Sequence, residues 1–357
     1  MSILTKYILK KYLINFIIVL ISLELFFVGI DYLQNFKNIP QSANLQLLYV
    51  LYNGFFTLTL ALPLSIVFAW VITLVIFIKN NEFVAFNALG ATRKDIFIPV
   101  VLMSISLLML LISLQMTPLA YSYDQKRKIL NDEYFTSTKN DIFLKYNDYY
   151  VYFKKLLPLE KRAEGIHIFR VKSEDVIETI VAQKAYFQNN RWYIVDAKII
   201  KKPEDINKDD LEQRLDIKYE KFLHTLDGFK PKILDNVYEG KTDFSIYDAI
   251  SAIILLKSQG INTDKIRAIL YNQIFIPFFV IPLLLLVYAF ASLNSRFFNL
   301  GKFVSMSIFG TLIVWGFFFM LYKLSSSGNL MPEVVLLLPF LFWIIISSVF
   351  YNNKINS

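Results

Sequence analysis

Residues 55–95 read FFTLTLALPLSIVFAWVITLVIFIKNNEFVAFNALGATRKD and decide the fold, because a long uncharged run gives way abruptly to a short polar segment. A bilayer core about 30 Å thick needs about 20 apolar residues in a helix, and residues 55–78 supply that length without a charge. A second apolar run follows Asp95. The stretch therefore predicts two membrane-spanning helices joined by a structured polar segment.

The joining segment predicts a small helix over residues 81–89. Asn80 or Asn81 can cap its start, and Glu82 in the first turn suits the positive end of the helix dipole. Gly90 can end the helix in the left-handed conformation that glycine adopts without strain. This segment has more structure than a simple turn between two spans needs.

Two interpretations of this short helix follow from its residues. Phe83 and Phe86 are neighbours at i, i+3, whereas the small Ala85 and Ala88 leave room for close backbone approach. A helix of this kind can insert into a groove of a partner protein. It can equally lie on lipid headgroups as an interfacial turn. The residues alone leave both interpretations open.

The whole chain is predicted to be a polytopic α-helical membrane protein with six transmembrane helices, since 55% of its 357 residues are hydrophobic. The predicted spans are roughly 12–34, 50–78, 96–120, 266–292, 302–324 and 332–351. A capping-box pattern, Thr92 to Asp95, starts the third span. The first span has a long apolar run without a small-residue cleavage site, so it is predicted to be a retained anchor.

The charges beside the short loops predict the orientation. The flanks and loops assigned to the cytoplasm contain Lys6, Lys10, Lys11, Lys79, Arg93, Lys94, Arg296, Lys302 and Lys354. On the opposite side, residues 35–49 contain Lys37 alone and residues 325–331 contain no base. The positive-inside rule then places both termini in the cytoplasm and the polar segment after the third span outside it.

That polar segment is predicted to be an extracytoplasmic antiparallel β domain with a sandwich or jelly-roll-like topology. The predicted strands, rich in β-branched and aromatic residues, are 141–153, 165–171, 176–187, 191–200 and 213–223. Asn189-Asn190 is a hairpin signal, and Ser245 to Asp248 is a capping-box pattern that starts a helix. The predicted domains are 1–120 with the short helix 81–89, 121–243 for the β domain, and 244–357.

The charge distribution argues against nucleic acid as a partner. The chain has a net charge of +8, but residues 121–250 contain 23 basic and 23 acidic residues. The remaining 14 basic and 6 acidic residues flank the predicted spans, which fits lipid headgroups and topology signals.

The sequence predicts no metal site, no catalytic residue and no nucleotide site. Cysteine is absent, and His167 and His224 have no partner at ligand spacing. The segment Gly240-Lys241-Thr242 resembles the end of a phosphate-binding loop, but Asp235 stands where that loop needs glycine. The chain is therefore predicted not to be an enzyme.

Charges within or beside the spans are candidate functional residues. Glu24 lies in the middle of the first span, where it either meets a polar side chain, lines a substrate cavity or relays protons. A set of bases lies at the outer ends of the spans: Lys37, Lys126, Arg127, Lys265, Arg267 and Lys323. These bases either contact phosphates of an anionic lipid or snorkel into solvent.

The segment NEFVAFNALGATRKDIFIPV (81–100) resembles the cytoplasmic loop of the lipopolysaccharide-export permeases, the LptF/LptG family. The resemblance extends over nearly the whole chain, through the β domain, LLKSQGIN (255–262) and QIFIPFFVIPLLLLVYAFA (273–291) to the last two spans. The end of the first span, GIDYLQNFK (29–37), is more similar to LptG. Some LptG relatives have a lysine inside this span. The matching region here, FFVGIDYL (26–33), contains no lysine before Asp31, and Lys37 is the nearest replacement.

The resemblance implies a subunit of an ABC transporter in the inner membrane of a Gram-negative bacterium. Two permeases, LptF and LptG, would enclose a cavity, with LptC as a further membrane partner. A cytoplasmic LptB dimer would hydrolyse ATP with Mg²⁺, so this chain would bind no cofactor itself. Lipopolysaccharide would pass from the outer leaflet through the β domains to a periplasmic bridge that includes LptA.

Carried over by position, the resemblance also assigns residues. Spans 1 and 5 would form a lateral gate. The helix that couples the chain to the ATPase would contribute Glu82, Phe83, Ala85, Phe86, Ala88, Leu89, Gly90 and Arg93. Two alternatives remain: a permease subunit that exports another envelope substrate or transmits force to an envelope enzyme, and a membrane scaffold without ATP coupling.

Overall fold

The computed structural model describes residues 3–131, 139–146, 148–157, 160–172, 175–189, 191–202, 215–227, 229, 244–257, 262–291, 298–328 and 330–356. The chain divides into two compact units. The helical unit comprises Met1–Asn131, Thr242–Ile254 and Asn262–Ser357, and the β unit comprises Asp132–Lys241 and Leu255–Ile261. The β unit therefore starts at residue 132 and not at the predicted 121.

The described helices follow the apolar runs of the sequence. In chain order they are α1 (Ile3–Asn35), α2 (Ala43–Lys79), α3 (Glu82–Ala88), α4 (Arg93–Gln115), α5 (Ser122–Leu130), α6 (Ile246–Lys257), α7 (Asp264–Ile274), α8 (Val280–Phe290), α9 (Leu300–Ser326) and α10 (Leu338–Asn356). A π-helical segment, Glu333–Leu337, leads into α10. The helix α5 occupies residues that were predicted to belong to the β domain.

Five helices of the described chain are long and apolar enough to cross a membrane, and a bent pair supplies a sixth span if it is counted as one. The five are α1, α2, α4, α9 and Glu333–Asn353. The bent pair, α7 with Ile276–Phe290, turns by 45°. Pro277 lies in the short 3₁₀ segment at this bend. Proline removes a backbone donor and clashes with the preceding turn, so the predicted continuous span 266–292 is broken here.

The spans differ in how deeply the chain buries them. The most apolar window of α2 is 78% buried, whereas those of α1 and α9 are only 6% and 11% buried. The helix α2 is therefore the centre of the helical unit. The apolar faces of α1 and α9 are left for lipid or for another protein.

The β unit contains one antiparallel sheet whose six described strands lie in sequence order. They are β1 (Lys139–Tyr146), β2 (Tyr149–Leu157), β3 (Arg162–Lys172), β4 (Asp175–Gln188), β5 (Arg191–Lys201) and β6 (Asp216–Thr225). This order is a meander, and no Greek-key crossover of the jelly-roll type connects these six strands. The antiparallel pairing itself is as predicted.

The predicted strand 141–153 is wrong as a single element. Tyr146 pairs with Tyr149, so the chain folds back there into two strands. The sequence Asn147-Asp148 explains the reversal, because both residue types favour turns. The hairpin predicted at Asn189-Asn190 is confirmed, since Gln188 pairs with Arg191 and Asn189 has a φ of 48°.

The core of the sheet is formed by alternate residues along its strands. Val151 and Phe153 of β2, Ile166 and Ile168 of β3 and Trp192 of β5 are fully buried. Trp192 also donates its ring N–H to the carbonyl of Phe229 at 2.7 Å, so its polar atom is satisfied inside the core.

We expect Gly165→Ala to destabilise the β unit by about 2 kcal/mol. Gly165 has a φ of +64°, and an added Cβ would lie 2.8 Å from Cβ of Lys154. Glu164→Ala on the same strand is the control and should change stability by less than about 0.5 kcal/mol. Pulse proteolysis of the purified protein in increasing urea measures both variants. Equal stability of the two variants would contradict this account of the position.

Candidate functional site

The helix α3 lies between two turns in which the backbone is left-handed. Asn81 (φ 54°) turns the chain out of α2, and Gly90 (φ 76°) ends α3. The N–H of Ala91 donates to the carbonyl of Phe86 at 3.0 Å, and that of Gly90 donates to Asn87 at 2.9 Å. Such bonds around a left-handed glycine satisfy the last carbonyls of a helix. The predicted end of the helix at Gly90 is confirmed.

Aromatic rings bury one face of α3 within the chain. Phe83 and Phe86 are 1% and 6% exposed, and their ring centroids lie 5.8 and 5.4 Å from that of Phe77 in α2. Tyr7 of α1 meets Phe86 edge to face at 6.3 Å. Both phenylalanines therefore fix α3 to the rest of the chain.

Glu82 binds the N-terminal part of α1. Its Oε1 accepts a hydrogen bond from Nζ of Lys11 at 2.8 Å and from Nδ2 of Asn80 at 3.1 Å. Its Oε2 accepts from the hydroxyl of Tyr7 at 2.9 Å. We call these four residues the Glu82 site. It joins α3 to α1 across more than 70 residues of sequence.

The Glu82 carboxyl is held in its charged form. Burial alone would raise the pKa of Glu82, but the hydrogen bonds donated by Lys11, Asn80 and Tyr7 outweigh burial and lower the pKa below its ordinary value of 4.5. The contact therefore persists at neutral pH and weakens only as the pH falls through this lowered pKa.

The opposite face of α3 is exposed. It presents Val84, which is 54% exposed, Leu89, which is 79% exposed, and the small residues Ala85 and Ala88. Gly90 lies at the end of the same surface and is also exposed. We call these five residues the α3 surface. It is apolar and narrow, and its small residues permit close approach by another backbone.

A capping box starts α4 immediately after this surface. The N–H of Thr92 donates to Oδ2 of Asp95 at 2.8 Å, and the Thr92 hydroxyl accepts from the N–H of Asp95, as predicted. Arg93 is half-buried, and its carbonyl accepts from the hydroxyl of Tyr288 at 3.0 Å. The Tyr288 ring stacks on Phe97 at 5.1 Å. The start of α4 is thereby joined to α8.

The sequence analysis did not assign a role to the residues of α1 that contact α3. Tyr7, Lys11 and Asn15 lie one helical turn apart on α1, and Asn15 donates to the hydroxyl of Thr73 in α2 at 2.9 Å. A polar stripe at i, i+4 and i+8 along one face of a membrane helix marks a face that contacts other helices. That stripe was visible in the sequence, although its partners were not.

The structure separates the predicted lipid-binding bases into two groups. Lys126 and Arg267 are bound within the chain. Lys126 is 4% exposed and forms an ion pair with Asp31 at 2.7 Å. Arg267 forms ion pairs with Asp264 and Glu333. Neither is placed as a free phosphate ligand, because a carboxylate already occupies the position that a phosphate would take.

Three other bases of the set are exposed. Lys37 and Arg127 lie on the surface, and Arg127 also packs against the ring of Tyr123, 6.0 Å from its centroid. Lys323 is exposed above the ring of Phe319 at 5.5 Å. Lys265 is half-buried and interacts within the chain.

Glu24 meets a polar side chain, one of the three roles open to it from sequence. The hydroxyl of Thr57 in α2 donates to its Oε2 at 2.6 Å. This hydrogen bond joins a carboxyl group in the middle of a span to a neighbouring helix, where polar side chains are costly without a partner.

No metal-binding or nucleotide-binding arrangement stands out in the described ranges. In those ranges no group of three or more His, Cys, Asp or Glu side chains could hold a metal ion. The segment 240–242 and Asp235 lie outside the described residues.

The sequence profile of the family described as lipopolysaccharide export system permease LptF/LptG matches residues 6–353. No curated protein matches the chain significantly. The profile covers essentially the whole chain, so the chain belongs to this family and is a lipopolysaccharide export permease of the inner membrane. The family works as a complex with other Lpt proteins. The profile includes both LptF and LptG, so the LptG-like character of residues 29–37 stays a prediction.

We expect Glu82→Ala to loosen α3 without unfolding the chain. Loss of three hydrogen bonds to a charged group should raise the hydrogen-exchange rates of the α3 amides about tenfold or more. Asn87→Ala, on the exposed side of α3, is the control and should leave those rates within about twofold of the unsubstituted protein. Mass spectrometry of exchange in detergent measures both. Equal rates in the two variants would mean that Glu82 does not hold α3.

Proposed function

We propose that this permease extracts lipopolysaccharide from the outer leaflet of the inner membrane, driven by ATP that a separate cytoplasmic subunit hydrolyses. The observation that carries the proposal is the construction of α3. One face is fixed to α1 and α2 by buried rings and by the Glu82 site, while the other face is apolar and exposed. A helix that is anchored inside its own chain and open to a partner can pass on a push from that partner.

The α3 surface would seat in a groove of the ATPase, for which the family resemblance implies an LptB dimer. Val84 and Leu89 would supply the apolar contact, and Ala85, Ala88 and Gly90 would permit close packing. Glu82, Phe83 and Phe86 would act from within the chain, and Arg93 would join the moving segment to α4. In this division Glu82 is a positioning residue that transmits motion to α1.

The lateral gate would be formed by α1 and α9, the first and fifth spans. Both have their most apolar windows largely exposed in this chain, which supports a second permease or lipid as the neighbour of these faces. The second permease would be the LptF or LptG counterpart, and LptC and periplasmic LptA would receive the lipid. ATP and Mg²⁺ would bind only the ATPase.

The exposed bases would guide the anionic lipid. Lys37, Arg127 and Lys323 are the candidates whose charge reaches the surface, and Lys265 is a further one. Both termini would be cytoplasmic and the β unit periplasmic, which the positions of the bases beside short loops support. In this arrangement the helices 1–120 and 244–357 enclose the path, and the β unit continues it.

We expect Val84→Glu to remove the ATPase from the purified complex. A carboxylate in an apolar groove would be desolvated without a partner, so co-purification should fall at least about tenfold. Val176→Glu is the matched control, because Val176 is a similarly exposed valine of the β unit, 44% against 54%. Glu82→Ala should retain at least half of the ATPase but lower transport about tenfold. If the Val84→Glu variant retains the ATPase, the ATPase contacts a different surface of this chain.

We expect a photoreactive residue at Lys37, Arg127 or Lys323 to cross-link lipopolysaccharide in cells, and one at Lys302 to cross-link it at least about fivefold less. Lys302 flanks a predicted cytoplasmic loop, so it should lie in the other leaflet. Reversal of all three charges should reduce export about tenfold, since each phosphate contact is charge-assisted. Cross-linking to a different envelope component would favour the exporter of another substrate. Absence of an ATPase from the complex would favour the scaffold.

A further inference from the structure

Lys126 is a lysine whose charge lies inside the helical unit. It belongs to α5, is 4% exposed, and its Nζ lies 2.7 Å from Oδ2 of Asp31 in α1 and 3.1 Å from Oδ1 of Asn53 in α2. The hydroxyl of Tyr49 in α2 donates to the other oxygen of the same aspartate. We call Lys126, Asp31, Asn53 and Tyr49 the outer cluster. It joins three helices at one point.

Aromatic rings complete the surroundings of the ammonium group. Its Nζ lies 5.5 to 5.8 Å from the ring centroids of Tyr49, Phe56 and Tyr123. Such rings stabilise a cation that has lost its water. The ammonium group is thus satisfied by the chain itself, with a carboxylate, an amide and three rings as partners.

The half of α1 beyond Phe16 is less deeply buried than its first half. The buried residues of α1 are Ile8, Tyr12 and Phe16, all in its first half. Beyond Phe16 its apolar residues are half-buried or exposed, and its polar and ring contacts with α2 and α5 are Glu24 with Thr57, those of Asp31, and an edge contact between Tyr32 and Tyr49. Lipid is as apolar as a leucine side chain, so polar contacts and close packing decide whether helices associate there.

We propose that Lys126 latches the outer half of α1 to α2 and α5, and that it does not bind lipid phosphate. An intact ion pair therefore makes α1 and α5 move together. The latch is a property of this chain, and only its use during transport rests on the proposed function.

A latch and a phosphate ligand respond differently to loss of the aspartate. In a latch, removal of either charge leaves the other buried and unpaired. Removal of both leaves no unpaired charge, and Asn53 and Tyr49 then each lose one hydrogen bond. In a phosphate ligand, removal of Asp31 frees Lys126 for lipid and should leave lipid binding equal or stronger. The double variant therefore distinguishes the two roles.

The test compares Lys126→Met, Asp31→Leu and the double variant in the purified complex, measured as the midpoint of thermal unfolding. Each single variant should lower the midpoint by about 5 °C or more, and the double variant should recover at least half of that loss. Lys128→Met is the matched control. Lys128 pairs with Asp124 at 3.1 Å within α5 itself, so its loss should shift the midpoint by less than about 2 °C.

A second measurement gives the distance between α1 and the end of α5. The chain contains no cysteine, so spin labels can be attached to Leu33→Cys on α1 and Asn131→Cys after α5, both exposed positions. The distance distribution between them should be single and narrow with Lys126 present. It should broaden or shift in Lys126→Met and become narrow again in the double variant.

The two measurements decide the proposal without ATP or lipopolysaccharide, so their failure is distinct from failure of the proposed function. Recovery in the double variant, in both midpoint and distance, supports the latch. Unchanged midpoint and distance in Lys126→Met would overturn it. A normal unfolding midpoint in Asp31→Leu would also overturn it, because Lys126 would then not depend on Asp31.

Discussion

A charge that enters a membrane-spanning helix must find a partner, and this constraint organises the first span. Three charged residues of α1 do so: Lys11 with Glu82 of α3, Glu24 with Thr57 of α2, and Asp31 with Lys126 of α5. Each partner belongs to a different helix. The span is thereby attached at its two ends and near its middle, while its most apolar window stays largely uncovered.

The attachment of α1 to Glu82 involves the short helix α3. A polar turn would be sufficient to join two spans, but α3 is folded against α1 and α2 through Glu82, Phe83 and Phe86 and leaves Val84 and Leu89 outside. The inward-facing residues join α3 to α1, so that the two helices would move together. The outward residues are the ones that a cytoplasmic partner could reach. Glu82 and both phenylalanines were predicted to belong to the coupling helix, and in the structure all three contact α1 or α2 of the same chain.

The parts of the fold that depend on local sequence were predictable. Span length, the capping box at Thr92 and the left-handed Gly90 follow from a few neighbouring residues, and the structure has them as predicted. Contacts between distant residues were not predictable, because no pattern in one sequence links Lys11 to Glu82 or Asp31 to Lys126. The same limit applies to the predicted lipid-binding bases. Lys126 and Lys323 look alike in sequence, but Lys126 is buried in an ion pair and Lys323 is exposed.

In the proposed function, ATP-driven motion of α3 reaches α1 through the ion pair between Lys11 and Glu82. A direct test of this step exchanges the two charges and measures ATP-driven lipopolysaccharide release from proteoliposomes that contain the complete complex. The account predicts that Lys11→Glu and Glu82→Lys each lower release about tenfold or more, and that the double variant restores at least a third of it. The proposed step would be contradicted if the double variant is as inactive as the two single variants while the complex still binds its ATPase.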